Sequence, residues 1–127
     1  MDHPLAELIG LQVLEQAAGR STLQLSIEVH HLNPHRVAHG AVLYALADTG
    51  MGAALYPTLA EGELCATIEI KISYFKPVRG GMLVCRTELV NRGKRVANLE
   101  SRLYLGELLV AQANGHFAIF KAAAAAP

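Results

Sequence analysis

Between Val42 and Tyr56 apolar and small residues run on almost every side, and Pro57 then stops the helical pattern. Such a helix has little solvent face of its own and must be wrapped by other elements. At about 1.5 Å per residue it is roughly 22 Å long, too short for a bilayer but suited to the axis of a small domain. The flanking segments change period. Leu23, Leu25, Ile27 and Val29 precede the helix, and Ile68, Ile70, Ile72 and Tyr74 follow it, with Glu69, Lys71 and Ser73 on the opposite face. This alternation reads as half-buried strands.

Leu83, Cys85, Thr87 and Leu89 lead to a turn at Asn91-Arg92-Gly93-Lys94, and Ala97, Leu99, Ser101 and Leu103 lead to Gly106. A last strand over Leu109 to Phe120 alternates through Ala111, Ala113, Gly115, Phe117 and Ile119, and an opening strand lies near Leu11 to Leu14. The order is two strands, a helix and four strands joined by short turns. It predicts an α+β domain, an antiparallel sheet wrapped around one long central helix. One domain spans residues 1–121, and the low-complexity tail 122–127 is set aside. A single sheet leaves edge strands open, so self-association is the expected completion.

The 127 residues carry 11 basic and 11 acidic side chains, so no bulk attraction to nucleic acid or an anionic membrane is expected, and any anion must be held locally. No apolar run reaches the length of a membrane span. Residues 1–10 include Asp2, His3, Pro4 and Glu7 and do not read as a secretory signal. Cys65 and Cys85 sit in apolar strand patterns without metal-type spacing, which reads as reduced core thiols of a cytoplasmic protein.

Between His39 and Glu61 one residue bears a formal charge, Asp48, about two turns into the helix. An unpaired carboxylate in apolar surroundings costs several kcal/mol, so it must meet donors, water or a cleft. Two readings are open: a carboxylate bonded to neighbouring backbone or to a Ser or Thr across a subunit contact, or a catalytic base or nucleophile. Upstream, Gly40 stands at the helix start, where bare N–H groups suit an oxyanion or a polarised carbonyl. Asp48 lies eight residues beyond Gly40, a rise of about 12 Å. A reacting carbonyl must touch both groups within about 3 Å, which one helix cannot arrange. If both serve one reaction, two helices must run antiparallel across a twofold, Gly40 of one subunit beside Asp48 of the other.

At these residues the chain resembles the hotdog-fold thioesterases of the phenylacetic-acid-degradation (PaaI) type. The resemblance lies in His31-Leu32-Asn33, Ala38-His39-Gly40-Ala41 and Tyr44-Ala45-Leu46-Ala47-Asp48. It extends over about residues 5–120, including Ile70 to Pro77 and Ala111 to Gly115. It implies hydrolysis of an acyl-CoA thioester, aryl-acetyl or other, at a homodimer interface, with a dimer of dimers as the expected assembly and no cofactor. By this resemblance Asp48 is the general base or nucleophile and the Gly40 N–H polarises the thioester carbonyl. Asn33 helps to place substrate or water, Thr67 orients the water, and His39 shapes the helix start. The family's second glycine is Ala41 here. Thr67 has opposite strand parity to Ile68, so it reaches the same cleft only beside a bulge or on the partner-facing side.

Coenzyme A carries several phosphate charges and needs a local cluster of cations. Arg92, Lys94 and Arg95 at one hairpin, with Lys76 and Arg79 near another turn, are the candidates, the other reading being solvated hairpin charges. Tyr74 and Phe75 offer rings for adenine, with core packing the alternative for Tyr74. Met51, Leu55 and Tyr56 are expected to bear on pocket volume. His30, His31, His35 and His39 form a histidine-rich loop whose spacing fits no standard zinc pattern, so no metal is expected. Two other functions stay open: a non-catalytic acyl-CoA-binding module, and hydration or dehydration of an enoyl-CoA with His39 as base and the partner's Asp48 as acid.

Overall fold

The computed structural model describes residues 2–123, so the end of the low-complexity tail lies outside the described residues. A short helix, α1 (Pro4–Ile9), opens the chain, and strands β1 (Leu11–Ala17) and β2 (Arg20–Ser26) follow. After a loop with a single 3-10 turn at Val29–His31 comes the central helix α2 (Gly40–Leu55), then β3 (Glu63–Tyr74), β4 (Met82–Arg92), β5 (Val96–Leu105) and β6 (Leu108–Lys121). All pairings are antiparallel, in the order β1-β2-β4-β5-β6-β3. The sheet curls around α2 as a hotdog fold, and β1 and β3 are its edges. Among the described residues no helix is long and apolar enough to cross a membrane.

Helix α1 was not expected, although its signals are local. Pro4 stands in its first turn, His3 Nδ1 accepts the Ala6 N–H at 3.1 Å, and Gly10 closes it at φ 81°. Pro57 sits in a separate 3-10 turn, Tyr56–Thr58, which ends α2 as the sequence predicted.

The alternating positions of β2, β4, β5 and β6 form the inner face. Leu23, Leu25, Leu83, Cys85, Leu99 and Leu103 are fully buried there, with Ala111, Ala113, Phe117 and Ile119 nearly so. Helix and sheet approach closely. A Cβ on Gly50 would stand 2.7 Å from Thr87 Oγ1, and one on Gly115 2.6 Å from Met51 Sδ. Three buried hydroxyls occupy this contact. Ser21 Oγ donates to the Gly50 carbonyl at 2.7 Å, Ser101 Oγ donates to the Ala47 carbonyl at 3.3 Å, and Thr87 Oγ1 shares a 2.6 Å hydrogen bond with Ser101 Oγ. Donors on both sides of position 48 fix the rotation of α2 about its axis, and hence the direction in which Asp48 leaves the helix.

Several expectations need correction. Helix α2 is not buried all round: Leu43, Leu46, Ala47, Gly50, Met51, Ala54 and Leu55 are buried, whereas Tyr44, Ala45, Asp48, Thr49 and Gly52 are half-exposed, because one sheet covers one side of a helix. Met51 and Leu55 accordingly belong to the core rather than to a pocket wall. Ile68 does not share a face with Ile70, since a bulge between Thr67 and Glu69 turns it outward, where it is 55% exposed. Cys65 lies half-buried on the edge strand, while Cys85 is a core residue; both are free thiols. Tyr74 is half-exposed rather than packed in the core.

Candidate active site

Two groups of residues mark the half-exposed side of α2. The first is Asp48 with Thr67. Thr67 Oγ1 donates to Asp48 Oδ1 at 2.6 Å, across the gap between the central helix and the edge strand. The bulge makes this possible: Cys65 and Thr67 before it, and Ile70 and Ile72 after it, all turn toward α2, with Ile68 as the extra residue. Cys65 shares the neighbourhood, and its thiol is pushed up by burial and then by the nearby Asp48 charge. Asp48 is therefore bonded to a side-chain hydroxyl on an accessible face, not sealed against its own main chain.

The second group is the start of α2. His39 is the N-cap, its Nδ1 accepting the Ala41 N–H at 2.9 Å, while its carbonyl accepts the Val42 N–H at 2.9 Å. The Gly40 carbonyl accepts the Tyr74 hydroxyl at 2.7 Å. Among the described residues no protein acceptor takes the Gly40 N–H. A cavity of about 430 Å³ opens beside it, lined by Gly40, Leu43, Tyr74, Phe75, Lys76 and Val78 among others. Asp48 does not reach that cavity in the same protomer, because α2 runs unbroken from Gly40 past Asp48 and separates them by about 12 Å.

Asn33 lies in the loop before α2. Its Oδ1 accepts the His35 N–H at 2.9 Å and the Val37 N–H at 3.4 Å, and its backbone N–H donates to the Val37 carbonyl at 2.8 Å. The side-chain oxygen thus shapes the loop that delivers His39 and Gly40. His31 supports the same loop from below. It is buried, Nδ1 accepts the Glu28 N–H at 2.8 Å, and Nε2 lies 2.7 Å from the Ile9 carbonyl, which fixes a neutral ring with its proton on Nε2. Ala41, the departure from the family glycine, points an exposed methyl outward. Among the described residues no group of three or more His, Cys, Asp or Glu is placed to hold a metal ion.

The cations fall at opposite ends of α2. Lys76 lines the cavity at the helix start, and Arg79 is exposed on the same turn. Lys94 and Arg95 are exposed on the β4–β5 hairpin. Arg92 differs from them, since its guanidinium is occupied by the protein: it donates to the Thr58 carbonyl at 3.2 Å, to Glu63 Oε1 at 3.2 Å and to the Gly93 carbonyl at 2.7 Å. Sequence reasoning missed the tie between Tyr74 and Gly40, the commitment of Arg92, and the hydroxyls of Ser21, Thr87 and Ser101. Only the last had a visible signal, as polar residues at inward-facing strand positions.

The family model of the thioesterase superfamily matches residues 35–111. A Pseudomonas aeruginosa protein provisionally named an esterase is 34% identical over 116 residues, covering 90% of this chain and 87% of that protein. The structure of a variant of the phenylacetic acid degradation protein PaaI from Thermus thermophilus matches with a TM-score of 0.86 at 29% identity, over 91% of this chain and 98% of that one. A Haemophilus influenzae thioesterase gives a TM-score of 0.89 over 97% of this chain and 87% of its own; at 18% identity that likeness is one of fold alone.

Proposed function

The chain belongs to the thioesterase superfamily, and from that premise we propose that it hydrolyses an acyl-CoA thioester to free CoA and a carboxylic acid, at a site shared by two copies. The observation that carries this reading is the Asp48 carboxylate, held among the described residues by one side chain, Thr67, on the open face of a helix whose other face is packed. A second α2 running antiparallel along that face brings its Gly40 to Asp48. The open β3 edge, where Ile68 stands exposed, is the natural seam for such a pairing.

In that arrangement the thioester carbonyl sits against the partner's Gly40 N–H. Asp48, acting as general base, takes a proton from water as the water oxygen adds to the carbonyl carbon. The negative charge develops on the carbonyl oxygen, where the N–H and the helix start stabilise it. Collapse breaks the C–S bond, and the departing CoA sulfur takes up the proton. As nucleophile, Asp48 would instead form an anhydride that water opens. His39 holds the helix start through its cap, and Asn33 holds the loop before it. Lys76 and Arg79, together with Lys94 and Arg95, are assigned to the CoA phosphates, and Arg92 to the fold.

The test is a thiol-release screen over aryl, short, medium and long acyl-CoAs, with Asp48→Asn beside the wild type. The expected result is a loss of about 10²- to 10⁴-fold in turnover with the dimer intact in sedimentation. Equal turnover in the variant removes Asp48 from the chemistry. Tight acyl-CoA binding without thiol release replaces hydrolysis with a binding role.

A further inference from the structure

We infer that Tyr74 is a positioning residue that sets the direction of the Gly40 N–H and, with its ring, walls the adjoining cavity; this rests on the hydrolytic reading above. Glycine is the least restrained residue in the chain, so a glycine N–H makes a well-aimed donor only if its neighbours hold it. Here every neighbouring peptide is held. The His39 N–H donates to the His31 carbonyl at 2.8 Å, and the His39 carbonyl accepts the Val42 N–H. The peptide joining Gly40 to Ala41 is clamped at both ends: its N–H gives to His39 Nδ1 at 2.9 Å, and its carbonyl takes the Tyr74 hydroxyl at 2.7 Å. The Gly40 N–H belongs to the His39–Gly40 peptide, itself anchored through the His39 carbonyl and flanked by the two other held peptides, and it has no protein acceptor of its own among the described residues.

Of these restraints, the Tyr74 hydroxyl comes from another element, 34 residues along the chain at the end of β3. It therefore transmits the position of the edge strand to the helix start. The contact is also close, since a Cβ on residue 40 would lie 3.0 Å from the Tyr74 oxygen and 3.1 Å from its ring, so that a side chain there would press on the tyrosine. The ring also lines the cavity beside Phe75 and Lys76. Hydroxyl and ring thus have separable duties, one acting through Gly40 on the reacting carbonyl and the other on the space a substrate fills.

Two substitutions separate them. Tyr74→Phe keeps the ring and removes the donor. It is expected to lower kcat about five- to twentyfold, less than the 10²- to 10³-fold typical of losing an oxyanion donor itself, with KM within about twofold of wild type. Tyr74→Leu also removes the wall and is expected to raise KM at least fivefold beyond the Phe variant. Thermal midpoints measured alongside show whether the fold is kept, and a purely structural tyrosine would not split kcat from KM in this way. An active wild type with an unaffected Phe variant overturns this inference alone. A wild type that releases no thiol from any acyl-CoA overturns the hydrolytic reading and, with it, this one.

Discussion

Thr67 Oγ1 lies 2.6 Å from Asp48 Oδ1, and among the described residues this contact and the Tyr74 hydroxyl on the Gly40 carbonyl are the two side-chain hydrogen bonds that join β3 to α2. The strand that carries Thr67 is an edge, and only its bulge lets Thr67 and Ile70 face the same helix. A hydroxyl donated to a carboxylate both steers the acid and leaves its second oxygen free for water.

That relationship predicts a graded series. Thr67→Val keeps the shape and removes the donor, and a hydrogen bond to a charged group contributes about 1.5–3 kcal/mol. Turnover is expected to fall by about ten- to a hundredfold in Val, while Thr67→Ser stays within about threefold of wild type. Steady-state thiol release on one good substrate decides it. A Val variant as fast as the Ser variant would mean that the contact does not serve the reaction.

Arg92 should matter to folding and not to substrate. It joins the turn after α2, through the Thr58 carbonyl, to Glu63 at the start of β3. Arg92→Ala is expected to destabilise the protein by about 1–3 kcal/mol in urea unfolding while KM for acyl-CoA stays within about twofold. Lys94→Ala, at an exposed position of the same hairpin, should behave the other way round. Glu63 gives the acid side of this tie. The Ala60 N–H at 2.8 Å, and then Arg92, hold its carboxyl below the ordinary 4.5. The stability it adds is present above that pH and is lost as the pH falls below it, and Glu63→Gln should flatten this acid limb. A larger effect on KM than on stability for Arg92→Ala would return that residue to the substrate.

Cys85 predicts a loss of stability on the alkaline side. Burial raises its thiol from an ordinary 9.0 to about 11, with the hydroxyls of Thr87 and Ser101 partly opposing the shift. The unfolded chain releases this proton first, so the contribution is complete below pH 9 and is lost as the pH climbs toward 11. At roughly 1.4 kcal/mol per pH unit the difference comes to about 3 kcal/mol. Urea unfolding at intervals between pH 8 and pH 11 should show wild type declining more steeply than Cys85→Ala. Parallel slopes would show that the thiol ionises as easily folded as unfolded.

Local rules made much of the molecule legible before any packing was known. A continuous apolar run ending at Pro57 is a helix, alternation by twos is a strand, and a helix rises by a fixed amount per residue, so the distance from Gly40 to Asp48 follows from counting. The inward row Leu23, Leu25, Leu83, Cys85, Leu99 and Leu103 could be written from periodicity, and it is the core. The acid itself stood out because a single charge within an apolar helix has few physical excuses.

What surrounds that acid was decided elsewhere. Thr67 meets Asp48 across 19 residues and Tyr74 meets Gly40 across 34, and neither separation has a period that a sequence can display. The bulge that turns Ile68 out and the capture of Arg92 by Thr58 and Glu63 depend on how an edge strand and a hairpin settle against a helix already in place. The chain alone determined which elements form and which residue carries the charge, because those follow from hydrogen bonds and burial between near neighbours. The tertiary structure alone determined which donors reach that charge and which face of the helix stays open, because these are set by contacts between elements that meet only when the sheet closes.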